Sequence, residues 1–283
     1  MGRMLKPAKS KTKKRPISDL VKRAKHQIKV LRGQKHSLQF RFSSSDHPLS
    51  SLGTEYGGWT FVDDNDLNGS VIISAGLGED ASFDVAFANR YGAKVIIVDP
   101  TPRAVVHFEQ ISERFGLPSS QSFNSTGQQD PAAYELSAID ASRLILVKKA
   151  LWNAVTSVRF YEPKDKKNVS HSISNFQNEY SKETDYIDVP AIDMISLLDE
   201  MGVDRSQVKL VKLDIEGAEI EVIRHMLAND FFPKQILLEI DELNFPSKVA
   251  YGRATEVSTL LKKRGYKVVW SDGRANFLFY RKQ

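Results

Sequence analysis

Three carboxylates fall within six residues just after an apolar run. Asp214, Glu216 and Glu219 follow Val208-Lys209-Leu210-Val211-Lys212-Leu213, and Glu239, Asp241 and Glu242 close the next apolar run at 235–240. Carboxylates next to apolar strands are costly unless they are used or solvated. If the two runs are neighbouring strands, these acids crowd one sheet edge. Two chemistries suit such a group. One is a divalent-metal site of oxygen ligands, with magnesium held by Asp214, Glu239 and Asp241. The other is a general base that takes a proton from a hydroxyl. Asp214, Glu216 and Glu239 are therefore candidate catalytic residues. His171, in the polar stretch 162–186, is a further candidate base. Helix-start acids are also favoured by the helix dipole, which suits Glu219 better than Asp214.

A second constellation lies upstream. Gly76-Leu77-Gly78-Glu79-Asp80-Ala81 fits the pattern G-x-G-x-x-A, and Asp99 stands 21 residues after Gly78. In such a turn the glycines let backbone approach a nucleotide-like ligand, and the acid accepts hydrogen bonds from ribose hydroxyls. The charge of the loop separates two ligands. A dinucleotide places its pyrophosphate at the helix N-terminus, where Glu79 and Asp80 would repel it at close range. S-adenosylmethionine has no phosphate and carries an ammonium and a sulfonium. The loop argues for the methyl donor and against NAD.

These residues need a scaffold that carries them to one edge. Apolar runs at 71–74, 94–98, 143–147, 208–213 and 235–240 read as buried strands. Helical spacing occupies 80–91, 103–115, 192–201, 219–228 and 256–263, with a short helix around 131–138. A short alternating strand covers 157–161, and 162–186 reads as an inserted loop or hairpin. Residues 266–270 and 276–281 form a terminal hairpin about Asp272-Gly273. Strands alternating with helices predict an α/β fold: a Rossmann-like, doubly wound, mostly parallel sheet with an antiparallel C-terminal hairpin.

Composition divides the chain. Residues 1–36 hold thirteen Lys and Arg against one acid, Asp19, a net +12, whereas the remaining 27 basic and 34 acidic residues give −7. A basic arm of this kind binds an anionic partner or simply solubilises. Residues 1–16 read as disordered, and a basic helix runs from about Leu20 to Leu31. Three regions follow: a basic tail at 1–36, an extension at 37–68 that covers the cofactor site, and the main domain at 69–283. There is no cysteine, which excludes disulfides and thiolate metal sites. No apolar run approaches the ~20 residues of a membrane span, and no signal peptide is evident. A cytoplasmic location is expected.

The strings Tyr56-Gly57-Gly58-Trp59, Ser74–Asp84, Val98-Asp99-Pro100-Thr101-Pro102, Phe160-Tyr161-Glu162-Pro163, Val169-Ser170-His171-Ser172, Leu210–Glu219 and Ile236–Ile240 occur in this order. Their order and spacing resemble the FkbM-type family of S-adenosylmethionine-dependent methyltransferases, over about residues 50–283. The resemblance implies a class I methyltransferase fold and O-methylation of sugar or natural-product hydroxyls. It implies cofactor contacts from Gly76, Gly78, Glu79 and Asp99, and extends them to Tyr56, Asp80, Ser82, Pro100 and Thr101. It places Asp214 and Glu216 at the reaction centre. The acid placement is also similar to metal-dependent O-methyltransferases, although here Glu239-Ile240-Asp241 replaces an adjacent acidic pair. The expected partner is a small-molecule or glycan acceptor. Alternatives are an RNA methyltransferase using the basic tail on phosphate, or a non-catalytic binding protein that keeps the fold. The acidic body and the missing Asn-Pro-Pro-Tyr type motif weigh against base methylation.

Overall fold

A computed structural model of the protein describes residues 17–36, 38, 45, 47–162, 171–173, 178, 181–244 and 247–282. The expected disorder of 1–16 and parts of the 162–186 insertion lie outside the described residues. A seven-stranded sheet forms the centre. Its strands are β3 (Val71–Ala75), β4 (Lys94–Val98), β5 (Leu144–Val147), β9 (Val208–Leu213), β10 (Gln235–Glu239), β11 (Tyr266–Ser271) and β12 (Asn276–Arg281). They lie in the order β11-β12-β10-β9-β3-β4-β5. All pairs from β10 to β5 are parallel, and β12 lies antiparallel between β10 and β11. This is the expected doubly wound sheet with its antiparallel hairpin.

The strands are buried on both faces, so neighbouring residues feed opposite cores. Ile73, Val211 and Ile236 face one cluster, with Ile223 of α5 (Glu219–Ala228) and Leu261 of α6 (Lys248–Lys263). Ile72, Leu210 and Leu237 face the other, with Phe83 and Phe87 of α2 (Ser82–Tyr91) and Phe108 of α3 (Pro102–Ser112). A second sheet of β6 (Ala150–Trp152), β8 (Tyr186–Asp193) and β7 (Thr156–Tyr161) flanks this body.

Several elements differ from the expectation for local reasons. The helix expected at 192–201 is α4 (Met194–Glu200); Ile192 still belongs to β8, and Asp193 caps the helix by accepting from Ile195 and Ser196 N–H. The last helix starts two turns early, at Lys248, because Ser247 caps it through Ala250 N–H. The helix at 131–138 shrinks to one 3-10 turn at Pro131–Ala133, since Tyr134 turns extended. Asp80 lies outside α2 and accepts from Ser82 N–H. The extension carries a hairpin, β1 (Leu49–Leu52) with β2 (Trp59–Val62). Packing begins before Gly69, because Phe61 and Val62 are fully buried and Gln235 bridges the Val62 backbone in both directions. Helix α1 (Ile17–Leu31) precedes it.

Candidate active site

The strand register brings the chemistry together. Leu213 pairs with both Ala75 and Leu238, Ala75 pairs with Val98, and Glu239 pairs with Asn276. The residues that leave these strands, Asp99, Gly76, Asp214, Glu239 and Asn276, therefore stand side by side along one edge. β3 lies between β4 and β9, so this edge is the topological switch point where open α/β sheets bind ligands. A cavity of about 400 Å³ opens there, within the range of small-ligand sites. Of the sequence-predicted site residues, Ser82 alone lies off its lining; Tyr56, Gly76, Gly78, Glu79, Asp80, Asp99, Pro100, Thr101, His171, Asp214, Glu216, Glu239 and Asp241 all line it.

The glycine loop is built by sterics. Gly76 has φ +86°, and a Cβ there would fall 1.8 Å from the Asp214 carbonyl oxygen. Gly78 also has positive φ, +57°, but nothing lies within 4 Å of its missing Cβ. Gly76 thus closes the loop on β9, while Gly78 leaves room for a ligand. Asp99 braces this turn. One of its oxygens accepts from Leu77 and Gly78 N–H, and the other from Thr101 N–H and hydroxyl. A carboxylate offers about four lone-pair positions, and here all four are engaged. Asp99 thus shapes the loop while lining the cavity.

The loop acids are also partnered. Glu79 accepts from Arg103 and from Gln128, and Asp80 accepts from the Thr54 hydroxyl at 2.6 Å. The Ser82 hydroxyl accepts from Thr54 N–H, so Ser82 fastens the extension to the loop from outside the cavity. Gly57 packs its backbone on Asp80; a Cβ there would lie 2.6 Å from the carboxyl carbon. This clamp presents the Tyr56 ring over Gly127 at the cavity wall.

The acidic half has its own logic. Asp214 and Glu239 leave the adjacent strands β9 and β10 and line the same cavity. Burial, then the charges of Asp214 and Glu216, push the Glu239 carboxyl up to about 9. Burial and the charges of Glu216 and Glu239 push Asp241 well up too. Glu219 belongs to the turn instead: it accepts from Ile215 and Gly217 N–H, while burial and Glu242 raise it to about 8. Glu216 adopts φ +53°, unusual for a residue with a Cβ. The Ser172 hydroxyl holds its carbonyl, and Ser172 pairs with Tyr161, so the insertion is stitched to this turn with His171 in the cavity wall. The expected magnesium set of Asp214, Glu239 and Asp241 is not assembled: among the described residues no group of three His, Asp or Glu is arranged to hold a metal ion.

Lys212 and Asp84 were not singled out by their sequence. Lys212 is buried, donates to the Gly76 carbonyl, lies 3.7 Å from the Asp214 carboxylate and sits over the Trp59 ring. It ties the glycine loop to the acidic strand end. The signal was a lysine inside a strand buried on both faces, a placement that requires partners. Asp84, fully buried in α2, is raised to about 6 by burial against the opposing pull of Lys212.

Sheet order, switch-point cavity and glycine loop define a class I, Rossmann-like methyltransferase. The chain belongs to the FkbM methyltransferase family: the family's methyltransferase FkbM domain matches residues 74–268, and the protein is an S-adenosylmethionine-dependent methyltransferase. No curated protein matches the chain. Solved structures similar to it include two from methanogens. One is M. jannaschii TYW2 in complex with AdoMet, 9% identical over 86% of this chain and 90% of that one, with a TM-score of 0.31. The other is the Methanococcus jannaschii fibrillarin pre-rRNA processing protein, 10% identical over 87% of each chain, with a TM-score of 0.35.

Proposed function

We propose that the protein is an O-methyltransferase whose acceptor is a hydroxyl of a sugar, glycan or glycosylated natural product. The observation that supports this most directly is the Asp214–Glu239 carboxyl pair, leaving adjacent strands beside the glycine loop and lining the same cavity. A sugar hydroxyl is a poor nucleophile and needs a base. Bound S-adenosylmethionine supplies an electrophilic methyl group. The open backbone at Gly78, the braced loop around Asp99 and the surrounding acids fit this phosphate-free cation. Gly76, Gly78, Glu79, Asp80, Asp99, Pro100 and Thr101 would hold it, with Tyr56 covering the site. Asp214 would receive the hydroxyl proton as the oxygen takes the methyl group and S-adenosylhomocysteine leaves, and Glu239, whose carboxyl burial and its anionic neighbours push up to about 9, would stand beside it in its neutral form. Glu216 and His171 orient the acceptor, whose position near attack distance supplies much of the remaining rate.

The test uses S-adenosylmethionine labelled with carbon-13 in the methyl group and a panel of free and lipid-linked saccharides, read by NMR for methyl ethers. Asp214→Asn should lower turnover about 10²–10⁴-fold while S-adenosylhomocysteine binds within roughly threefold of wild type, the pattern of a lost transition-state interaction. Label on the nitrogen of a nucleic-acid base, with no methyl ether on any saccharide, overturns the acceptor class.

A further inference from the structure

Helix α1 faces the wrong way for a helix that belongs to a globular core. In its sequence Ile17, Leu20, Val21, Ala24, Ile28 and Leu31 recur at the spacing of one helical face. Such a stripe ordinarily packs inward. Here the described members point outward: Ala24 is exposed, Ile28 is 49% exposed and Leu31 87%. The opposite side of the helix is the less exposed one. His26 and Val30 are half-buried, and the His26 ring bonds the His36 carbonyl at 3.0 Å. The segment after the helix is anchored, with His36 stacked on Tyr251 of α6 and edge-on to Phe277 of β12. Phe277 follows Asn276 of the cavity wall, so the anchor sits at the site-bearing edge of the sheet.

Beside the open stripe runs a row of cations. Lys22, Lys25, Lys29 and Arg32 recur at the same helical spacing, and all are exposed. They belong to the +12 arm on a body of −7. An apolar stripe flanked by lysines, on a helix held by its other side, is the surface that enters the interface of an anionic bilayer. Nucleic acid would use the cations but has no use for the stripe.

We propose that α1 is a membrane-interface helix that docks the enzyme on anionic lipid, with Ile28 and Leu31 in the acyl boundary and the lysine row on the headgroups. The inference does not depend on the acceptor.

The experiment is sedimentation of the full chain with vesicles of phosphatidylcholine alone or mixed with phosphatidylglycerol, alongside titration of a fluorescent oligouridine. The chain should sediment with the mixed vesicles and much less with phosphatidylcholine. Ile28→Ser and Leu31→Ser leave the charge unchanged and should each weaken vesicle binding about tenfold. Lys25→Gln and Lys29→Gln should each weaken it roughly fivefold. Unchanged thermal melts and S-adenosylhomocysteine titrations confirm that each variant is folded, as expected for exposed positions. Vesicle binding indifferent to the two serine variants overturns the proposal, as does failure to bind mixed vesicles. Tight oligouridine binding that depends on the lysines and not on the stripe would assign the arm to nucleic acid instead.

Discussion

The raised Glu239 carboxyl has a consequence for stability. A carboxyl ordinarily near 4.5 is held at about 9 in Glu239, first by burial and then by its anionic neighbours. Between those values the folded protein keeps a proton that the unfolded chain has released. Stability from this group is complete below 4.5 and is lost as the pH rises toward 9, at up to about 1.4 kcal/mol per pH unit. The unliganded protein should therefore melt at progressively lower temperature as the pH is raised through that window. Glu239→Gln keeps the shape and abolishes the titration, so its melting temperature should fall less steeply and exceed wild type at the alkaline end. Parallel slopes for wild type and variant would show that the proton resides elsewhere, with Asp241 the next group to examine.

At the scale of elements, the glycine loop joins the two halves of the site, and its two glycines make separable demands. Gly76→Ala would force a Cβ into the Asp214 carbonyl, so it should cost more than about 3 kcal/mol and spoil both loop and acid placement. Gly78→Ala meets open space, and its left-handed φ costs about 1–2 kcal/mol. It should fold yet bind S-adenosylhomocysteine at least tenfold more weakly, because the methyl group enters the ligand's space. Calorimetry beside thermal melts separates the cases, and equal binding by Gly78→Ala would remove that residue from the site. The loop, the central strands and the acids were legible because buried parallel strands read as apolar runs, and glycine and acid punctuation marks their ends. Strand order supplied what a linear reading cannot. It set Asp99 under the glycine loop as a brace and left the expected metal set unassembled among the described residues. β1, β2, β6 and β8 were not anticipated, being short or mixed in polarity, and α6 hid two turns behind Gly252. Lys212 was visible in the sequence, but its partners, the Gly76 carbonyl and the Trp59 ring, come from elsewhere in the chain.

At the scale of the whole molecule, an acidic catalytic body carries a basic arm, and the border between them is not where charge alone would draw it. The charge excess ends near residue 36, yet His36 is 2% and Leu38 1% exposed, Leu38 within the core cluster that includes α6 and β12. Burial, then the charges of His26 and Lys35, lowers the His36 imidazole to about 4, so it is neutral when folded at ordinary pH. Among described residues of α1, by contrast, only His26 and Val30 are even half-buried. Removing residues 1–31 should therefore shift the melting temperature by no more than a few degrees and leave S-adenosylhomocysteine binding intact. Removing 1–38 also strips a buried leucine and an aromatic stack. The leucine contributes about 1.5–3 kcal/mol and the stack about 0.5–1.5 kcal/mol. A loss of this size lowers the melting temperature by roughly 5–15 °C in a domain of this length. The imidazole adds a signature of its own. Its folded value is depressed, so the stability tied to its burial is present above 6.5 and is lost as the pH falls toward 4. The deficit of the 1–38 deletion relative to the 1–31 deletion should accordingly narrow on acidification across that window. A constant deficit would mean that His36 contributes no titrating contact, and equal melts for the two deletions would place the border of the packed body after residue 38.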